Sequence, residues 1–316
     1  MERHRITVLS IAAVVVACAA TAATSRTGPP AGRKEPAKAT ATRDAAPGRT
    51  GQGVPLGNLP PGLTQLSEQL WDNQTDGSRP DYFPQERQRG VVNRWLHADE
   101  ESADKARPVE VAKTGGTWDP GITKVLQVEF RPTQPGGSAP DHVDFNVPRP
   151  GYRELYIHEQ VKFSPGFISL ANTVKHLWIR RIGDPGSGFF FRWVNDSPFA
   201  NNGRGGSQRY FEMNAQGLRN ANQPIRANQG WDVDFNDDRV HRIEIHVQGG
   251  GGGVPGTVRA WVDGRLLFQH SVLFFHQPEL NYTFTHVRYE HTYGGIGPNP
   301  PKLEWIWIGG TRIYAR

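Results

Sequence analysis

From residue 91 onward the chain is a series of short runs in which apolar and polar positions alternate. The runs are 91–97, 124–132, 153–164, 175–182, 188–196, 209–215, 239–248, 256–264, 265–275, 281–291 and 302–315. Alternation with a period of two marks half-buried strands, and the Gly, Pro, Asn and Asp clusters between the runs mark turns. Asp263-Gly264 joins two of them as a hairpin, and "QGGGGGVPG" (248–256) is a longer hairpin loop. Residues 63–72, "LTQLSEQLWD", read as a short helix or an opening strand. No helix-period segment interrupts the series, and no repeat of fixed period is visible. Ten or more strands without crossover helices predict antiparallel pairing and a two-sheet sandwich or barrel.

The alternation also assigns faces. On 154–163, Leu155, Ile157 and Val161 oppose Tyr156, His158, Gln160 and Lys162. On 175–182, His176, Trp178 and Arg180 share one face; on 189–194, Arg192 stands opposite Phe191 and Trp193. On 241–248, Ile243, Ile245 and Val247 point inward and Arg242, Glu244, His246 and Gln248 outward. On 256–262, Val258, Ala260 and Val262 are core, which leaves Arg259 and Trp261 on the polar face.

Composition supports an all-β chain: 316 residues, 36 Gly, 25 Pro and 10% aromatic. The net charge of +5 suggests a polyanion binder, but its distribution does not. Residues 1–23 carry one net positive charge and residues 24–60 carry six Lys/Arg against two acids, so residues 61–316 are neutral. No basic stripe accompanies a recognition element, and no nucleic-acid partner is expected. Residues 1–23 read as an export signal, with a charged start, an apolar centre and small residues after it. Ala20-Thr21-Ala22 suits ordinary cleavage; Val15-Val16-Ala17-Cys18 suits lipidation of Cys18, the one cysteine in the chain, and both alternatives stand. Residues 24–60, rich in Ala, Thr, Pro and Arg, cannot bury a core and are expected to be a disordered tether. A monomeric domain over 61–316, secreted or lipid-anchored at a bacterial cell envelope, follows as the expectation.

The order of motifs "VLQVEFRPTQPGGSAPDHVDF", "RELYIHEQVKFSPGF", "NTVKHLWIR", "DRVHRIEIHVQ", "GTVRAWVDGRLLF" and "WIWIGGTRIY" resembles the secreted concanavalin A-like jelly rolls. It is most similar to bacterial polysaccharide lyases of the alginate, glucuronan and heparin type, over roughly residues 115–316. The resemblance implies a jelly-roll β-sandwich of two antiparallel sheets and an anionic polysaccharide as partner. A non-catalytic carbohydrate-binding domain on the same fold is the alternative.

Elimination on a uronic acid needs a group that neutralises the carboxylate, a base for the C5 proton, and an acid for the leaving oxygen. His158, His246 and Tyr289 are the candidates for proton transfer. Tyr156, Gln160, Trp178, Arg180, Arg192, Arg259 and Trp261 are the candidates for substrate binding, since rings stack on sugars and Arg forks grip carboxylates. Arg180 and Arg192 on neighbouring strands are expected to form a carboxylate clamp. The competing expectation is that Arg192 pairs with a cross-strand acid such as Glu212 or Glu244. A hydrolase would need two facing carboxylates, and no such cluster is visible. "WDVDFNDD" (231–238) offers Asp232, Asp234, Asn236 and Asp238 to calcium but breaks the calcium-loop pattern at Asp237 and Ile243. No cofactor and no zinc site is expected; structural calcium stays open.

Overall fold

The structure, a computed structural model, describes residues 56–72, 74–76, 92–95, 106–133, 143–146, 151–167, 174–180, 188–195, 209–214, 225–231, 233–251, 254–272, 283–293 and 302–316. The export segment, Cys18, residues 24–55 of the tether and Asp232 lie outside the described residues.

Fourteen strands are described: β1 Thr64–Gln69, β2 Val92–Trp95, β3 Ala106–Glu110, β4 Lys124–Phe130, β5 Val143–Asn146, β6 Glu154–Phe163, β7 Val174–Arg180, β8 Gly188–Asn195, β9 Arg209–Asn214, β10 His241–Gln248, β11 Gly256–Val262, β12 Arg265–Val272, β13 His286–Tyr293 and β14 Glu304–Ala315. The one helical piece among the described residues is a 3-10 turn at Val111–Lys113. All pairings between strands are antiparallel. The first sheet runs β12-β11-β10-β6-β14-β4-β3, with β1 added beside β14; the second runs β2-β5-β13-β7-β8-β9. Between β4 and β7, and again between β12 and β14, successive strands switch sheets, which is the jelly-roll sandwich that the alternation implies.

The segment at 63–72 resolves to a strand. Two strands escaped the sequence reading, each for a physical reason. β3 contains Pro108, which a sheet accepts at its edge, and β3 is an edge. β5 is only four residues long.

The core lies between the sheets, where Leu155, Ile157, Val161, Ile243, Ile245, Val258 and Ala260 of the first sheet meet Leu177, Ile179, Phe189, Phe191 and Trp193 of the second. A smaller apolar cluster sits on the other side of the first sheet. Val109, Val125 and Trp307 there pack under Ile122, with Trp118 and Trp305 against them. The loop 114–122 contributes Ile122 and Trp118 to this cluster and so lies over the outer face of the first sheet.

Candidate functional site

On the outer face of the first sheet, strand register aligns polar side chains in two rows. One row runs Trp261, Glu244, His158, Arg312 and Glu68 across β11, β10, β6, β14 and β1. The next runs Arg259, His246, Tyr156, Tyr314 and Gln65 across the same strands. Directly opposed residues in antiparallel strands stand about 5 Å apart, close enough for each row to act as a unit. Gln160 and Arg242 pair one step beyond the first row.

Most of these groups are buried, Tyr156 and His158 completely so. They are covered by the chain's own segments. In the loop, the Asp119 N–H donates to Gln160 Oε1 at 3.0 Å, and Arg242 Nη2 donates to Asp119 Oδ1 and Oδ2 at 3.0 and 3.3 Å. Lys162 Nζ donates to the Thr114 carbonyl at 2.9 Å. At the other side Asn58 donates to Glu244 and Arg316 Nη1 to the Pro61 carbonyl. Gly309 and Gly310 let the loop approach β14. A Cβ on Gly309 would stand 2.8 Å from Val125 and 3.2 Å from Trp118, and Gly310 has φ +60°.

His158 Nδ1 lies 3.4 Å from the Gly310 carbonyl, so Nδ1 is the donor nitrogen and Nε2 keeps its lone pair. That Nε2 has no hydrogen-bond partner. Burial first, and then the Arg312 guanidinium, push the imidazole down to about 4, so it is neutral at physiological pH. Gln65 Nε2 and Arg242 Nε are likewise without partners, and the Tyr156 hydroxyl reaches Glu244 without a well-aligned bond. Burial, then the neighbouring Glu244 carboxylate, raise the Tyr156 pKa, so the phenol keeps its proton. Tyr314 meets Tyr156 edge-on, with ring centroids 6.0 Å apart. Arg312 bonds Glu68 at 2.9 Å.

His246 is in the same field but saturated. Its Nδ1 lies 3.2 Å from Arg259 Nη1 and its Nε2 2.7 Å from Glu154 Oε1. Both nitrogens are engaged, which leaves no lone pair for a proton from a substrate. Arg259 also donates to Gln269 at 3.0 Å.

Six of the sequence candidates therefore share this face: Tyr156, His158, Gln160, His246, Arg259 and Trp261. Four do not. Trp178, Arg180 and Arg192 belong to the second sheet, on the far side of the sandwich. Arg180 stacks on Trp178 with its guanidinium 4.6 Å from the ring centroid, and reaches Glu290 at 3.6 Å. Arg192 bonds Glu212, its partner in register on β9, at 2.7 Å, and Glu212 also accepts from Arg226 at 2.6 Å. The expected Arg180–Arg192 clamp is replaced by these pairs. A bulge on β7 opposite β8 puts His176 in the core, instead of on the face of Trp178 and Arg180.

Tyr289 points into the core. It belongs to a buried polar cluster that alternation had not signalled. Glu159 lies on the inner face of β6, where its carboxylate accepts from His176 Nε2 and, at 2.5 Å, from the Tyr289 hydroxyl. Thr311 Oγ1 is 2.9 Å from the same phenol oxygen, and His176 Nδ1 is 2.8 Å from His291 Nε2. Burial alone would push Glu159 up; the His176 and Tyr289 contacts outweigh it and hold the carboxylate below its ordinary range.

The acidic turn at 233–238 is committed locally. Asp234 caps the Asn236 N–H at 2.9 Å, Asp237 accepts from His241 at 2.9 Å, and Asp238 pairs with Lys162 at 2.8 Å. Among the described residues no group of His, Cys, Asp and Glu is arranged to hold a metal ion.

Arg312, Tyr314, Glu68 and Asp119 were not singled out from the sequence. "TRIYA" does alternate around Ile313, but the bulge between Gly309 and Arg312 inverts the parity set by Trp305 and Trp307. Asp119 lies in a loop, where periodicity carries no signal.

No known protein family and no curated protein sequence matches the chain. Among solved structures it is similar to a mutant of the alginate lyase Aly36B in complex with alginate trisaccharide, at 13% identity and a TM-score of 0.48, over 67% of this chain and 98% of that one. It is also similar to the alginate lyase vAL-1 from Chlorella virus, at 13% identity and a TM-score of 0.43, over 68% of this chain and 95% of that one. A structure describing the interaction of botulinum neurotoxin type C with two ganglioside molecules matches at 8% identity and a TM-score of 0.40, over 67% of this chain and 43% of that one. The chain is similar to jelly-roll polysaccharide lyases, the family its motifs resemble; at these identities nothing about its chemistry follows from the likeness.

Proposed function

We propose that the outer face of the first sheet binds an acidic polysaccharide and cleaves it by β-elimination. The observation that supports this is His158: a buried, neutral imidazole with its Nδ1 on the Gly310 carbonyl and an unpartnered Nε2, beside the Tyr156 hydroxyl, which makes no well-aligned hydrogen bond. Buried polar atoms without partners are rare, and they gather where a ligand completes them. In this reading a uronate seats its carboxylate against Gln160 and Arg242. Nε2 of His158 takes the C5 proton, the C4–O bond breaks as the C4=C5 double bond forms, and Tyr156 gives its proton to the leaving oxygen. The polymer is met outside the cytoplasm, in keeping with the export segment, and Cys18 would supply a lipid anchor there.

A second reading, a binding domain without turnover, draws on Trp305 and Trp307. Their rings lie nearly parallel, 6.3 Å apart, on the outer face of β14, and half-buried Trp305 leaves part of its ring for a sugar to stack on while Trp307 packs beneath Ile122.

The test is ultraviolet absorbance of unsaturated uronate over a panel of uronate polymers, with the parent protein and His158→Gln. Product from the parent, with turnover reduced about 100-fold or more in the variant and binding retained, is the expected result. Binding of oligouronates without product from the parent overturns the catalytic reading and leaves the binding domain.

A further inference from the structure

Several cations on the outer face of the first sheet have a carboxylate beside them, and for Arg242 that carboxylate comes from the loop over β6. Arg312 has Glu68 and Arg316 has Glu154, both acids lying on strands of the same sheet. Arg242 has Asp119, which is carried on the loop 114–122. Asp119 makes the contacts expected of a seated carboxylate. Both its oxygens lie on the Arg242 guanidinium, and its own N–H is anchored by Gln160, a neighbour of His158 on the same face of β6.

Beside that loop lie Gln160, whose side chain holds it, and the completely buried His158, whose Nε2 has no partner. The segment that covers them is bounded by glycines in the left-handed region: Gly115 at φ +64°, Gly116 at +81° and Gly121 at +91°. Such positions swing at low steric cost. The base of the loop is fixed more firmly. The Val111 N–H donates to the Thr123 carbonyl at 2.9 Å, and Thr123 Oγ1 donates to Asp72 at 2.6 Å.

We infer that Asp119 is an internal stand-in for the carboxylate of an acidic sugar, and that the segment 115–121 is a lid which a uronate displaces by taking Asp119's place on Arg242. This rests on the functional reading above and adds to it a substrate class and a means of regulation. The free face is self-neutralised and closed. An anionic sugar ring opens it because it replaces the Asp119 carboxylate charge for charge; a neutral sugar offers Arg242 nothing in exchange. The carboxylate so placed would lie next to His158, whose basicity returns as the lid and its desolvation leave.

The experiment uses the full chain, Asp119→Ala and Asp119→Glu, and reads two quantities. The first is hydrogen exchange at the His158 ring C2–H, followed by mass spectrometry without any sugar. The second is affinity for tetragalacturonate, tetramannuronate and neutral cellotetraose. Exchange about tenfold faster in Asp119→Ala, near the parent's rate in Asp119→Glu, and about tenfold tighter binding of a uronate oligomer with cellotetraose unchanged, are the expected results, since removing a dominant closed state restores the affinity it masks. Unchanged exchange in an Asp119→Ala protein that melts normally overturns the lid, whatever the turnover. Faster exchange with equal gains for uronate and neutral sugars overturns the carboxylate mimicry. Fast exchange with no unsaturated product from any variant leaves the lid standing and removes the lyase reading. Should Asp119→Ala not fold, Arg242→Gln frees the same carboxylate and must give the same fast exchange.

Discussion

His158 and Glu159 are consecutive residues that leave β6 through opposite faces, and each enters a buried cluster of ionisable groups. The inner cluster is saturated. Glu159 accepts from His176 and Tyr289, Thr311 lies against the phenol, and His291 closes on His176. The outer cluster is buried at Tyr156, His158 and Glu244 and half-buried at Gln65 and Arg242, and it leaves His158 Nε2, Gln65 Nε2 and Arg242 Nε without partners. Both places are polar and largely buried; hydrogen-bond satisfaction differs. A satisfied cluster holds the two sheets in one arrangement and offers nothing to a ligand. An unsatisfied one carries a standing free-energy cost that a ligand can relieve.

The comparison breaks most sharply at Glu159. Glu159→Leu leaves His176 and Tyr289 facing a carboxylate that is gone, and is expected to cost about 3–5 kcal/mol in urea unfolding. A cost below about 1 kcal/mol would mean that the inner cluster is not the saturated network described here.

The two clusters also separate in pH. His158 titrates near 4 in the folded chain against an ordinary value of 6.5. Between those values the unfolded chain takes up a proton that the folded one refuses. Stability present above pH 6.5 therefore declines down to about pH 4, by on the order of 3 kcal/mol for the shift. Glu159 has a depressed pKa, so its contribution is full above its ordinary 4.5 and is lost only as pH falls below that. Urea midpoints across pH should show His158→Gln losing the decline between 6.5 and 4 relative to the parent. Parallel curves for the two proteins would contradict the burial of the imidazole.

Two tyrosines provide the finest contrast. Tyr289→Phe removes a hydrogen bond to an ionised carboxylate and should cost about 1.5–3 kcal/mol. Tyr156→Phe removes a phenol that reaches Glu244 without a well-aligned bond, and should cost about 1 kcal/mol or less. Equal costs by thermal melting would erase the distinction between the faces.

Much of this was legible in the alternation, and where it failed the cause is geometric. On β10 and β11 no bulge disturbs their pairing with each other, so Ile243, Ile245, Val258 and Ala260 fall inward and Arg242, Glu244, Arg259 and Trp261 outward as the period dictates. On β7 one extra residue carries His176 to the core side, and on β14 the Gly309–Gly310 bulge resets the parity ahead of Arg312 and Tyr314. Period two also says nothing about which sheet a strand joins. Arg192 and His158 look alike as polar positions on strands, and only long-range pairing sends one to Glu212 on the second sheet and the other to the first. Glu159 was hidden for a third reason: an acid on an apolar face is legible as buried only once its partners are known, and His176, Tyr289 and His291 come from strands of the opposite sheet.

The position of β14 bears on how the chain reaches this state. Its twelve residues pair with β6 along one side, and with β4 and then β1 along the other. It is the last of the described strands, and it sits in the middle of the sheet. Until it has emerged during synthesis, β6, β4 and β1 have an open gap between them, and the apolar inner faces of both sheets lack part of their cover. Such a chain gains little from folding piecemeal and must close contacts between residues about 250 apart, such as Thr64 with Ala315. Folding is therefore deferred to a late, concerted step, during which the unpaired strands are held open to whatever else in the cell binds extended chain.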